Sequence, residues 1–462
     1  QMKIFALVFA LKLIASSNSR TPDSKVVQSA EYSITFAKEF VRSTENKYKS
    51  DFRYELALKN NGDVTVQQLR VVFQKCIEPG TEIFIGAVGG SISAGGGTTM
   101  NETLTYIHFI EKFLSQLCPN SKITAINSGR GTTGSLTTGP CLENLLGPKI
   151  DILLIEFSLN DYAQYTVSDV FHSSPFELLV RNGLKLFQHA PSVFSIYFWG
   201  RYFVKESGQE YHNIISEHYK ITGISIRDVI FEALGSKSEM YESRESVLSD
   251  KMHHPNAVVH EHLADLISYN IANEFMDWYN TENAPLYQNR NFMLPFGDLP
   301  LALFPEVELF DLSLNSFKCG ITGTPRQGGP PLLFENDGWK TFPVGKTTPS
   351  RNDSIECIQA TTLDASAVIS VVTAQGYIFI SSCTKGGERN DPPTFDLNLL
   401  EYNGQKEEIK KPLQLNKVIP DVGEMYMVYP PLNPGKYKIE ITPTEICPKF
   451  VNKAPSSDCR FG

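Results

Sequence analysis

Along the first two-thirds of the chain, short runs that are apolar nearly throughout alternate with longer stretches of helical periodicity. The runs are "EIFIGAV" (82–88), "KITAINS" (122–128), "DILLIEFS" (151–158), "VFSIYFW" (193–199) and "TGISIRDV" (222–229). Such runs predict parallel strands covered on both faces. Between them, Leu104, Ile107, Ile110, Leu114 and Leu117 fall on one face of a helix, and 175–188 and 208–220 predict further helices. Residues 26–80 predict a helical lead-in, clearest in "EYSITFAKEFVRS" and "VQQLRVVFQKC". Strands alternating with helices predict an α/β domain over 81–280, a mostly parallel sheet wound on both sides. Ligands of such sheets bind outside the carboxyl ends of the strands, so chemistry belongs in the loops that follow them.

Beyond residue 280 the pattern changes. Residues 281–304 are rich in Pro and Asn and predict a linker. From 305 to 462 short β-like runs recur ("AVISVVTA", "YIFISSC", "TFDLNLLEY", "MYMVYPP", "KYKIEIT"), punctuated by turn residues. This predicts a C-terminal all-β, sandwich-like accessory domain. A length of 462 residues suits two domains better than one core.

Charge narrows the function classes. The formal net charge is −9 and no long basic run is present, which argues against nucleic-acid binding and against attraction to anionic membranes. At the N-terminus Lys3 precedes an apolar stretch, followed by Ala15, Ser16 and Ser17. Residues 1–19 therefore read as a secretory signal, although Lys12 interrupts the apolar run; an ordinary buried helix is the alternative. The stretch is short for a bilayer span, so no stable membrane insertion is expected once it is processed. A secreted or extracellular protein is the expectation. The N-glycosylation triplets at Asn101 and Asn352 agree with it. So do eight cysteines without a C-x-x-C pair, which read as disulfides rather than zinc or redox motifs.

The first strand ends in "GGSISAGG", where Gly89 and Gly90 precede Ser91. A serine at a strand-to-helix turn, surrounded by residues without bulk, can be an exposed nucleophile whose neighbouring amides face a developing oxyanion. A second glycine-rich loop, "NSGRGTTGS" (127–135), follows the next strand. After the third, "FSLNDY" (157–162) places Asn160 and Asp161 at a strand end. The Asn160 amide can donate to an oxyanion, although Asn and Asp also serve turns in any protein. Finally "LSDKMHHPNAVVHEHLADL" (248–266) sets Asp250 three residues before His253, a spacing at which the carboxylate can orient the imidazole as a general base.

Four ordered blocks, "GGSIS", "NSGRGTTGS", "SLND" and "DKMH", resemble those of the SGNH or GDSL-type hydrolases over about residues 80–275. Each block is common alone; the ordered set, each after a predicted strand, is specific. The resemblance implies a flavodoxin-like doubly wound parallel sheet and a carboxylic ester hydrolase without metal or organic cofactor. It implies Ser91 as nucleophile, Asp250 and His253 as its partners, and an oxyanion hole of the Ser91 and Thr132 backbone N–H groups with the Asn160 side chain. The chain departs from the family at Gly90, where Asp is usual, and at Ser158, where Gly is usual. The second-block glycine falls at Thr132 or Gly131. The His-Pro pair frequent in the family selects His254 as the alternative base.

The expectation is a secreted serine esterase working through an acyl-enzyme, its partner an ester substrate such as an O-acylated glycan. Its alternatives are a catalytically silent carbohydrate- or ligand-binding protein on the same scaffold and an O-acyltransferase. His260 and His262 lie two apart on a predicted helix, so they point to different faces and read as surface residues rather than metal ligands.

Overall fold

The computed structural model describes residues 24–282 except 132, 168, 169, 237, 239 and 251, residues 299–304 and 307, and the strands that lie between 334 and 461. In the first part, strands β1 (Leu58–Asn60), β2 (Glu82–Gly89), β3 (Lys122–Asn127), β4 (Ile152–Glu156), β5 (Ser192–Tyr197) and β6 (Thr222–Ser225) form a six-stranded sheet in the order β1-β6-β5-β4-β2-β3. The pairs β2–β3, β2–β4, β4–β5 and β5–β6 are parallel. The parallel strands thus follow the flavodoxin-like order, in which the chain leaves β2 toward one edge and β4 toward the other.

The strand pattern explains the layering. All of β4 is buried. Ile152 and Leu154 pack into one apolar cluster, while Leu153 and Ile155 pack into another on the opposite face. Successive side chains of a strand point to opposite faces, so an unbroken apolar run supplies both. The first cluster is covered by helices α1 (Ser24–Tyr48), α3 (Tyr106–Leu117), α7 (Ile226–Gly235) and α8 (Ala257–Glu282), with most of the apolar face of α2 (Asp63–Ile77). The second is covered by α5 (Ser174–Lys185) and α6 (Gln209–His218). Between β4 and α5 runs α4 (Ser158–Tyr165).

Both sheet edges are blunted. The three-residue strand β1 pairs antiparallel with β6, and its register shifts between Leu58 and Asn60. At the other edge the Ala125 N–H of β3 donates to Glu111 Oε1 on α3, 3.0 Å away. No helix among the described residues is long and apolar enough to cross a membrane.

Several boundaries differ from expectation. The lead-in contains β1, whose "LKN" carries no periodicity to read. The run "TGISIRDV" leaves the strand at Ser225, where the Ser225 Oγ caps α7 by accepting the Asp228 N–H. Of the predicted linker, residues 299–304 dock on the α/β part. Arg181 donates to Pro300 O at 2.6 Å, and Glu177 accepts the N–H groups of Leu303 and Phe304. The rest of 281–304 beyond Glu282, the signal segment 1–19 and Asn352 lie outside the described residues. The strands between 334 and 461 pair antiparallel in one ten-stranded order, which agrees with the all-β reading of that segment.

Cys76, at the end of α2, is bridged to Cys118, just after α3, and Cys141 is also disulfide-bonded. The Cys76–Cys118 bridge spans 42 residues of sequence and both cysteines are fully buried. Closing a loop of that length in the unfolded chain stabilises the fold by about 4 kcal/mol in the chain-entropy account. The double variant Cys76→Ser, Cys118→Ser should therefore unfold at a clearly lower urea concentration than wild type, with tryptophan fluorescence as the readout. An unchanged midpoint would show that the bridge does not constrain the fold.

Candidate active site

Ser91, His254 and Asp250 form a hydrogen-bonded chain at the carboxyl edge of the sheet. Ser91 follows β2, and its Oγ stands 2.9 Å from His254 Nε2. His254 Nδ1 in turn bonds Asp250 Oδ2. The other carboxylate oxygen, Oδ1, accepts three backbone N–H groups of its own turn, from Met252 (2.8 Å), His253 (2.9 Å) and His254 (3.2 Å). Partial burial opposes ionisation of Asp250. The bonds from the His254 ring and from the Met252, His253 and His254 N–H groups outweigh it and bring its pKa down to about 2. Asp250 is thus a fixed anion, aimed by its own turn at one imidazole.

That imidazole is not the one selected by the Asp–His spacing. Ser91 Oγ is bonded by His254 rather than His253, whose Nδ1 has no hydrogen-bond partner among the described residues. Its carbonyl accepts the indole N–H of buried Trp199 at 2.8 Å, which holds the backbone with the His254 ring toward the serine. Burial, chiefly, and the neighbouring His254 lower the His253 pKa to about 4, so it is neutral at ordinary pH.

The glycines around Ser91 make room for groups from other loops. A Cβ on Gly90 would lie 2.0 Å from Asn160 Oδ1 and 2.7 Å from Nδ2, so the Asn160 amide occupies the space a side chain would take. A Cβ on Gly96 would lie 2.6 Å from His254 Cδ2 and 2.9 Å from Nε2. Asn160 is buried, and its Oδ1 has no partner among the described residues. Gly131 of the second glycine loop faces the Ser91 Cβ, while Thr132 lies outside the described residues. Asp161 clamps that loop by accepting the Ser135 N–H at 2.8 Å. Ser158, where glycine was expected, has work of its own: its Oγ accepts the Phe198 N–H and donates to the Phe198 carbonyl, joining the start of α4 to the end of β5.

Beneath the serine loop lies a polar network that the block pattern does not reveal. Ser93 Oγ donates to Glu156 Oε2 at 3.0 Å and shares a 2.8 Å bond with Tyr106 OH. The Asn127 side chain holds the Ser93 carbonyl, and the Gly90 N–H donates to the Glu156 carbonyl. Glu156 is fully buried, and burial raises its pKa to about 8 against the pull of the Ser93 bonds. The readable signal was a carboxylate inside the apolar run "DILLIEF". His260 and His262, expected on the surface, are both fully buried. His260 Nδ1 faces the Tyr106 N–H at 3.4 Å; His262 stacks on Tyr48 at 4.0 Å and bonds Tyr241 OH through Nδ1 at 2.8 Å. Burial lowers their pKa values to about 4 and about 3, which keeps both uncharged in the core.

No protein-family model matches the chain, and no curated protein matches it in sequence. Solved structures do match. The chain is similar to a two-domain esterase (CEX) active on acetylated mannans, with 19% identity, 88% of this chain and 96% of that one covered, and a TM-score of 0.53. The same esterase co-crystallised with mannopentaose gives 16% identity, the same coverage and a TM-score of 0.51. The acetylxylan esterase Axe2 from Geobacillus stearothermophilus overlaps 42% of this chain and 95% of its own length, at 16% identity and a TM-score of 0.33. At these identities the likeness to the first two is one of fold.

Glu156 sets a pH dependence of stability. Its folded pKa, about 8, lies above its ordinary 4.5, so between those values the folded chain holds a proton that the unfolded chain has lost. Its contribution is complete below the ordinary value and is lost as pH rises through the folded one. Thermal unfolding of wild type and Glu156→Gln across pH 5 to 9 should show a wild-type decline that the variant largely lacks. Parallel profiles would mean that Glu156 is not a buried acid.

Proposed function

We propose that this protein is a serine esterase of the SGNH type that removes acyl groups, acetyl foremost, from a carbohydrate. The observation that carries the reading is the Ser91 Oγ to His254 Nε2 contact of 2.9 Å with Asp250 behind the ring. Ser91 Oγ attacks the ester carbonyl carbon and its proton passes to His254 Nε2. Asp250 stabilises the imidazolium through Nδ1. The tetrahedral oxyanion is held by the Ser91 N–H, the Asn160 amide and, as the sequence blocks imply, the Thr132 N–H. Collapse expels the sugar hydroxyl, which takes the proton from His254. Water then attacks the acyl-Ser91 carbonyl, gives a proton to His254, and releases the carboxylic acid with Ser91 restored.

The choice of a glycan ester is supported by the fold shared with an esterase active on acetylated mannans. In this reading the sandwich-like C-terminal β domain assists binding of the polymer. Secretion fits an insoluble or extracellular substrate, and the segment 1–19 has the composition for it.

Release of acetate from 4-nitrophenyl acetate and from acetylated mannan oligosaccharides tests the reading. Ser91→Ala and His254→Ala should each lower kcat by about 10⁴-fold or more with the fold intact by circular dichroism. His253→Ala should retain most activity, since the bonds to Ser91 and Asp250 are made by the His254 ring. A dead His253→Ala beside an active His254→Ala would reverse the assignment, and an active Ser91→Ala would end the serine mechanism.

Asn160→Ala should lower kcat by about 10²–10³-fold with little change in KM, because an oxyanion donor acts in the transition state. A change confined to KM would instead make Asn160 a substrate-binding or turn residue.

A further inference from the structure

The turn after β5 carries an aromatic side chain in a conformation such residues avoid. Tyr202 and Phe203 have φ of +64° and +58°. This is the left-handed region, where Cβ crowds the backbone and bulky residues are outliers. Strain of this kind persists only where the surroundings over-determine it, and it gathers at active sites and ligand clamps. Six described non-glycine residues have positive φ, and two consecutive pairs account for four of them. One pair is Tyr202 and Phe203; the other, Thr99 and Met100, lies in the turn after Ser91. Both turns leave carboxyl ends of sheet strands, and both touch the histidine segment. Gly97, in the first turn, meets Pro255, while Trp199, at the base of the second, holds the His253 carbonyl.

The Tyr202 turn is braced across its base and by its neighbour Phe203. Gly200 and Val204 pair across it, with the Gly200 N–H donating to Val204 O at 2.8 Å. Phe203 turns inward, against Trp199 (4.9 Å), Phe231 (5.0 Å) and the Arg244 guanidinium (5.6 Å). Arg244 also donates to Met252 O, within the Asp250 turn. The braces thus run directly into the segment that holds Asp250 and His254. Tyr202 is 56% exposed. The Arg201 guanidinium stands 5.1 Å from its ring centre, and the Arg201 charge is near enough to act on His253.

We propose that Tyr202, with Arg201, is a stacking platform for a sugar ring of the acylated carrier, on a turn bonded through Trp199 to the segment that carries Asp250 and His254. This rests on the esterase reading above and names how that site holds its carrier. A pyranose has one chemistry on its face and another on its rim. Its C–H groups suit the electron-rich face of a phenol ring, and its hydroxyls accept from a guanidinium. An apolar patch alone would suit a lipid chain, and a guanidinium alone would suit a carboxylate. An exposed aromatic ring with a guanidinium over one face, on a turn bonded to the histidine segment, suits a sugar bearing an ester.

The test compares Tyr202→Ala, Tyr202→Gly, Tyr202→Phe and Tyr202→Trp with wild type on 4-nitrophenyl acetate and on acetylated mannan oligosaccharides. Calorimetric titration with mannopentaose is measured alongside. Alanine should raise KM for the oligosaccharide about tenfold with kcat nearly unchanged, and weaken mannopentaose binding to the same degree. Its kcat/KM on 4-nitrophenyl acetate should match wild type. Phe and Trp should keep wild-type oligosaccharide KM. Glycine, which relieves the left-handed backbone, should bind as poorly as alanine yet unfold at no lower temperature than wild type. Equal losses on both substrates, or unchanged oligosaccharide KM and mannopentaose affinity in the alanine variant, would overturn the platform. Failure of the wild type to bind mannopentaose would overturn it as well. Wild type that binds mannopentaose through Tyr202 but cleaves neither ester would uphold the platform and sink the esterase reading.

Discussion

The parallel pairing of β2 with β4 is the constraint from which the site follows. Their register sets Gly89 opposite Glu156, and the Gly90 N–H then reaches the Glu156 carbonyl. The two strands end together, so Ser91 and Asn160 emerge side by side. At this position the connections diverge to opposite edges of the sheet, which opens a crevice above the strand ends. Ser91 and His254 are 163 positions apart in sequence, and the hydrogen bond between them exists only because this crevice receives the Asp250–Pro255 segment.

Precision at the rim is supplied from below and from the side. The carboxyl of Glu156, the hydroxyls of Ser93 and Tyr106 and the amide of Asn127 fix the serine loop from inside the core. Burying these groups is tolerable because all of them but Glu156 Oε1 find partners among the described residues and burial holds Glu156 in its uncharged form. From the side, Trp199 and Arg244 hold the carbonyls of His253 and Met252, so the Asp250 turn has few ways to relax. The glycines complete the arrangement by leaving space: the Asn160 amide and the His254 ring sit where side chains of residues 90 and 96 would otherwise project.

Much of this was legible in the sequence, for reasons that also mark where legibility stops. Buried parallel strands need apolar residues on both faces, so "DILLIEF" and its companions announced themselves. Ser91, Asn160 and Asp250 sit just after strands or in the closing turn, where local signals are strong. The choice between His253 and His254 is different. Residues three and four beyond Asp250 both come back toward it in a tight turn. The outcome depends on Asp250 Oδ1 capping the turn while Oδ2 takes the ring, and on Trp199 gripping His253. Pro255 held part of the answer, since it pushes the preceding residue toward extended backbone. The burial of His260 and His262 was illegible because each is paid for by partners remote in sequence, Tyr106 for one and Tyr48 and Tyr241 for the other. Strand β1 is too short to show a period, and Glu156 and Tyr202 gain meaning only from what surrounds them.

The treatment of the sheet edges bears on how copies of this chain behave in a crowded solution. A free strand edge is a template on which another chain can dock and grow. Here one margin ends in a three-residue strand with a shifted register, and at the other a carboxylate from α3 occupies an outward N–H. Neither margin offers the long, flat ladder that fibrous self-association requires. The α/β part can therefore reach high local concentration, many copies abreast, without its sheets fusing into one another.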